Sequence, residues 1–201
     1  DPAIRGWPEG VIDPEVAALV FLDGDDPVAV VTSYATHPMS YYRTGVPGPD
    51  FPGIARFIRG QSWPHTLHVH FNGAGGNVTA GKYNDGTRMI RPILADRLYA
   101  GLRGAWEATK RVPLTKIEFR ATKVRIEPRQ DKGFSIAELE AKLTPAVEPH
   151  QRSLAAMGLS WRKRTDAGHE IDLPLVDFGP VQLLLLPGEM YVEYQLAAQQ
   201  M

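Results

Sequence analysis

The stretch from Val28 to Phe57 constrains the fold more than any other part of the chain. It opens with an apolar, β-branched run, Val28 to Val31, which has the composition of a buried strand. The run gives out at Ser33-Tyr34-Ala35-Thr36-His37-Pro38. Pro38 has no N–H to donate and biases His37 toward an extended backbone, so the strand must end there. A loop rich in Gly, Pro and Tyr leads on to Asp50-Phe51-Pro52, where Asp50 suits a helix N-cap and Pro52 the first turn. Ile54, Phe57 and Ile58 then recur on one helical face. A strand that hands His37 to a loop is how α/β enzymes commonly present a catalytic or metal-binding group. It is also how a strand end is simply capped, and both roles fit.

The totals narrow the class of function. With 201 residues, 43% of them apolar, the chain suits a single sizeable domain. A net charge of −1 argues against nucleic-acid binding, which needs a basic surplus. No apolar run approaches the roughly 18–20 residues of a membrane span. Without cysteine there are no disulfides and no thiolate metal ligands. The chain starts abruptly at Asp1 and stops at Met201 within a helical pattern, so it reads as part of something longer.

Periodicity predicts an α/β chain of α+β type, a mixed β-sheet core flanked by helices. Glu15 to Leu22 is expected to pair antiparallel with Val28 to Tyr34 across the turn Asp23-Gly24-Asp25-Asp26. His65 to Phe71 alternates strictly, with Leu67, Val69 and Phe71 on one face and His68 and His70 on the other. That histidine face is either a metal pair or a solvated, hydrogen-bonded polar face. Four glycines follow between Gly73 and Gly81, permitting positive φ and close backbone approach to a ligand, as an anion or oxyanion nest would need. Thr87 to Lys110 is a long helix, and Thr115 to Glu127 a strand with a bulge near Thr122-Lys123. Ser135-Ile136-Ala137-Glu138 is a capping box, and a further helix from Pro149 should end at Gly158. The apolar run Leu183 to Leu186 predicts a strand buried on both faces. It breaks at Pro187-Gly188-Glu189, placing Glu189 just beyond a strand and at a helix N-terminus, where the dipole favours a carboxylate. Glu189 serves there as a plain helix-end charge or, with His37, as a zinc ligand.

Four motifs then occur in order: Ala35-Thr36-His37-Pro38, Pro49-Asp50-Phe51-Pro52-Gly53, Phe71-Asn72-Gly73-Ala74-Gly75-Gly76-Asn77-Val78 and Leu186-Pro187-Gly188-Glu189. Together they resemble the neutral/alkaline, non-lysosomal ceramidase family. The Tyr41-Tyr42 pair and Gly81-Lys82-Tyr83-Asn84-Asp85-Gly86 are similar to its bacterial ceramidase-like branch. The resemblance covers nearly all of residues 1–201, as the central and C-terminal part of the family's N-terminal catalytic domain. It implies a zinc-dependent hydrolase that cleaves the amide of ceramide with a water held on zinc. By position it implies His37 and Glu189 as two of the four Zn2+ ligands. The other two, a histidine and a tyrosine, belong to segments outside this chain. It implies Thr79 in place of the family's active-site serine, Arg5 as an active-site arginine, and Gly75, Gly76, Asn77 and Asp50 as substrate-binding. The expected partner is a small-molecule or lipid amide, and proteins of this resemblance are often exported. Two other readings stay open: a zinc hydrolase of another amide or ester, and a non-catalytic module whose glycine loop binds a small anion or sugar.

Overall fold

A computed structural model of the chain describes residues 2–41 and 45–201. Tyr42, part of the expected tyrosine-rich stretch, lies outside the described residues. The architecture is α+β, two three-stranded sheets with helices, and the chain gathers into two compact units. The first unit comprises residues 1–113 and 188–201, the second residues 114–187.

In the first unit, β1 (Ala17–Asp23) and β2 (Asp26–Tyr34) form the expected antiparallel hairpin, with Gly24 at φ 58° in its two-residue turn. β2 then pairs in parallel with β3 (Leu67–Asn72), so the sheet is mixed, in the order β1-β2-β3. The parallel pair needs a crossover, supplied by α1 (Asp50–Ser62). α1 packs on α2 (Ile90–Glu107) through Phe51, Ala55, Leu94, Ala95 and Leu98, the main buried cluster of this unit. Phe57, expected on the buried face, is 68% exposed; Ala55 and the Arg59 guanidinium, stacked 4.6 Å from the Trp106 ring centroid, face inward instead.

Asp50 is not the cap that its sequence position suggested. Pro49 precedes the helix, while Asp50 adopts φ 47°, a conformation that Asp tolerates better than most residues. Its carboxylate accepts from the N–H of Phe51 at 2.7 Å, from the N–H and hydroxyl of Ser40 at 3.1 and 3.0 Å, and from Arg91 at 3.2 Å. Arg91 also donates to the Ser40 hydroxyl at 2.8 Å and lies 3.8 Å from the Tyr41 ring centroid. This cluster ties down the chain three residues after His37.

The alternation of β3 is real, but its faces are inverted relative to solvent. Leu67 and Phe71 are largely exposed, whereas His68 lies against Gly60 of α1 and both histidines bury Nε2 with no partner among the described residues. Thr32 meets Nδ1 of His70 at 2.9 Å. Burial, with the charge of Arg56 and, for His68, of Arg59 beside it, holds both imidazoles below the ordinary histidine range.

The second unit holds β4 (Glu118–Val124), β5 (Ile171–Asp177) and β6 (Gln182–Leu184) as an antiparallel sheet in that order. β4 pairs with β5 without a register break, so the expected bulge is absent; the irregularity falls in β1, at Phe21/Leu22. β6 is an edge strand of half-buried leucines, not a strand covered on both faces. The Ser135 capping box is present in both its arms at the start of α3 (Ile136–Ala141). α4 (Pro149–Asp166) does not stop at Gly158. A Cβ there would come to 3.4 Å from Leu139 of α3, so the glycine sits at a helix–helix contact, and packing of Leu139, Ala155 and Leu159 overrides its weak helix preference.

Candidate functional site

Because β2 and β3 run parallel, they end side by side: Tyr34 is paired with Asn72, and the loops that follow leave the same edge. The first loop carries His37. The second, Gly73 to Val78, lies directly on it, with the N–H of Gly73 donating to the Tyr34 carbonyl at 3.0 Å and that of His37 to the Val78 carbonyl at 2.8 Å. A Cβ on Gly75 would sit 2.8 Å from the carbonyl carbon of Thr36, and one on Gly76 2.5 Å from the Glu189 carbonyl oxygen. Neither glycine has positive φ. The sequence expectation of close backbone approach is met, but it is the chain's own segments that approach.

The third segment arrives with Gly188-Glu189, ahead of α5 (Val192–Gln199). Glu189 is thus not at the helix N-terminus as expected; Tyr191 precedes the helix, and the first-turn acid is Glu193. Asn77 caps this junction, accepting from the N–H of Val192 at 2.9 Å and donating to Glu193 at 2.8 Å. The N–H of Gly76 donates to the Met190 carbonyl at 2.8 Å.

These contacts bring Nε2 of His37 to 2.8 Å from Oε1 of Glu189. The imidazole is held from behind, with Nδ1 2.6 Å from the Gly75 carbonyl oxygen. A carbonyl only accepts, so Nδ1 must carry a proton, and Nε2 of the neutral ring presents a lone pair. Facing a carboxylate oxygen, that lone pair is stable only with a proton or a cation between the two groups. The pair opens onto a cavity of about 220 Å³ lined by Thr36, His37, Pro38, Asn72, Gly73, Gly75, Gly188 and Glu189.

The donor set suits zinc in kind: a neutral imidazole oriented by a carbonyl behind it, and a carboxylate. Two ligands at zinc bond lengths in a tetrahedral site lie roughly 3.3 Å apart. The observed 2.8 Å is slightly shorter, and Glu189, whose side chain is 67% exposed, has room to swing outward. Among the described residues no group of three or more His, Asp or Glu side chains gathers for a metal.

Of the residues singled out from sequence, His37, Glu189 and Gly75 meet at this cavity. Gly76 and Asn77 stand behind its wall as packing and capping groups, their polar contacts directed to Met190, Val192 and Glu193. Thr79 is exposed, off the cavity wall, and its hydroxyl oxygen accepts from the N–H of Gly81 at 2.9 Å. Asp50 is engaged by Ser40 and Arg91. Arg5 lies in the last turn of the 3-10 helix Pro2–Gly6, where its charge adds to the Thr87 N–H and hydroxyl in holding the Asp85 carboxyl below its usual range. The Gly81 to Gly86 segment is anchored by Lys82, 2.7 Å from Glu9, and by the Tyr83 hydroxyl; these donors lower the Glu9 carboxyl to about 2. Asn72 and Thr36 in the cavity wall were not anticipated. Their signal was positional, since Asn72 ends β3 and Thr36 lies just beyond the end of β2, beside suspected site residues.

No protein-family model matches the chain, and no curated protein does. Among solved structures it is similar to the neutral ceramidase from Pseudomonas aeruginosa, with a TM-score of 0.67 at 13% sequence identity over 99% of this chain and 39% of that one. It is also similar to a ceramidase complexed with C2, with a TM-score of 0.67 and 13% identity over 99% of this chain and 40% of the other. The chain therefore spans about two-fifths of the length of these structures. At this identity, what it has in common with them is the fold.

Proposed function

We propose that the chain carries part of the catalytic centre of a zinc-dependent amidohydrolase of the ceramidase type. The observation that supports this most is the 2.8 Å approach of His37 to Glu189, from two distant segments, at the mouth of a cavity in a ceramidase-like fold. His37 Nε2 and the Glu189 carboxylate would be two ligands of the ion. When bound, zinc supplies Lewis-acid polarisation of a carbonyl and lowers the pKa of a coordinated water toward about 7.

The rest is done by this chain's own groups. The Gly75 carbonyl keeps the proton on Nδ1 and so keeps Nε2 available. The N–H of Val78 is spent within the loop on the Gly75 carbonyl, and that of Gly76 on the Met190 carbonyl. That of Gly75, on the cavity wall, carries no hydrogen bond among the described residues, which makes it the loop's donor for a developing oxyanion, such a donor being worth roughly 2.7–4 kcal/mol.

A second reading, a zinc hydrolase of a smaller amide or ester, is favoured by the cavity volume. About 220 Å³ is below the roughly 300–1,000 Å³ of pockets that enclose drug-sized ligands. Zinc titration of the chain and of His37→Ala and Glu189→Ala, followed by turnover of an acyl-amide panel graded in acyl length, tests both. Each variant is expected to lose at least tenfold in zinc affinity, and a preference for short acyl groups selects the second reading. Undiminished zinc uptake in both variants overturns the assignment.

A further inference from the structure

Asp13 is a carboxylate at 5% exposure whose partners among the described residues are all uncharged. It accepts from the Gln195 amide at 2.6 Å, the Gln199 amide at 2.9 Å and the N–H of Glu15 at 3.0 Å. Burial pushes this carboxyl up, but the donors at Gln199, Glu15 and Gln195 outweigh burial and keep it ionised below its ordinary range. An ionised carboxylate only accepts, so both glutamines must turn their NH₂ groups toward it. For Gln195 this has a consequence at the other end of the amide: Oε1 is directed at the glycine loop, where it accepts from the N–H of Ala74 at 2.8 Å. Gly73 leaves the space for it, since a Cβ there would lie 2.4 Å from that oxygen.

The loop beyond this clamp is the one that orients His37. The peptide unit joining Gly75 to Gly76 is trans, so its carbonyl and N–H point opposite ways. The carbonyl receives the Nδ1 proton of His37 at 2.6 Å, and the N–H donates to Met190 at 2.8 Å. One rigid peptide thus links the imidazole to the segment bearing Glu189, and the clamp immediately before it fixes where that peptide lies. We infer that Asp13 is a positioning residue for the His37 imidazole, acting through Gln195, the Ala74 N–H and the Gly75 carbonyl. That role gives a reason for a buried carboxylate with no countercharge among the described residues, and it rests on the reading of His37 and Glu189 as the reactive pair.

Three near-isosteric variants test it: Asp13→Asn, Gln195→Met and Gln199→Met. Gln199 shares the Asp13 carboxylate but makes no hydrogen bond to the loop, so its variant reports the merely structural cost. Ring ¹⁵N shifts of His37, amide exchange at Ala74 and Gly76, and Tm are measured for each. Asp13→Asn and Gln195→Met are expected to move the His37 shifts toward a mixture of tautomers and to speed exchange at Ala74 and Gly76 at least tenfold. Gln199→Met is expected to lower Tm while leaving the ring unchanged. Unchanged His37 shifts in both of the first two variants, with Tm lowered alike in all three, overturn the inference. Zinc titration of the unsubstituted chain is read separately. If zinc does not bind but the ring responds as expected, the metal reading falls and the positioning role stands.

Discussion

Gly76 lies so close to Glu189 that a β-carbon on it would sit 2.5 Å from the Glu189 carbonyl oxygen and 2.9 Å from that of Met190. Both are backbone atoms, so neither can rotate away. Gly76→Ala must therefore push the Glu189 segment off the loop, at a cost of about 1–3 kcal/mol by analogy with overpacked cores. The expected outcome is a lower urea midpoint together with a His37–Glu189 separation that no longer supports a shared proton. A crystal structure of the variant checks the second, and an unmoved Glu189 would refute the contact.

The Ser40–Asp50–Arg91 cluster makes a graded prediction. Asp50→Ala loses the acceptor for Ser40, Phe51 and Arg91 and also places an alanine at φ 47°. With about 1–2 kcal/mol for the left-handed backbone and about 1–3 kcal/mol for buried groups left unpaired, a loss of roughly 2–5 kcal/mol is expected. Asp50→Asn tolerates that backbone and keeps one acceptor, so about half the loss is expected. Chemical denaturation ranks the two, and equal losses would mean that the carboxylate contributes little.

Stability should depend on pH through His68 and His70. Both imidazoles titrate in the folded chain below their ordinary value of 6.5, because they are buried and stand near Arg56 and, for His68, Arg59. In that window the unfolded chain binds more protons than the folded one, so stability rises with pH up to about the unfolded value and falls as pH drops below it. Urea midpoints at pH 5 and pH 7, above the carboxylate range, should differ in the parent and differ less in a His68→Leu/His70→Asn variant. A gap of the same size in both would rule out these histidines as its source.

Ser135→Ala removes one arm of the capping box and is expected to cost about 1 kcal/mol of stability. Every residue lining the His37 cavity belongs to the other unit. The variant should therefore shift the melting of its own unit and leave the His37 ring shifts where they are, as calorimetry with ¹⁵N NMR would record.

What the sequence made legible was punctuation and period. Asp23-Gly24-Asp25-Asp26 turned the hairpin and Ser135 and Glu138 opened α3, each by a local rule, whereas β2 stopped at Tyr34, four residues short of the Pro38 expected to end it. The pairing of His37 with Glu189 came from likeness to a family and from strand ends, and no local rule contains it. The failures are tertiary. Gly158 was expected to stop a helix because propensity does not know of Leu139 across the contact. The histidine face of β3 was read as either a metal pair or a solvated polar face, because alternation gives two faces and not which one is covered. Gln195 went unnoticed, although Gln195 and Gln199 at i and i+4 share one helix face and hinted at a common acceptor.

The first unit is discontinuous, with residues 114–187 emitted between its two parts. A nascent chain can pair β2 with β3 and seat His37 on its glycine loop long before residues 188–201 leave the ribosome. Until then the imidazole faces an unfilled groove, and Ala74, Gly76 and Asn77 lack the partners that α5 and its lead-in provide. The His37–Glu189 approach therefore forms in a single late event, and a translation product released before residue 188 would fold much of its scaffold without it.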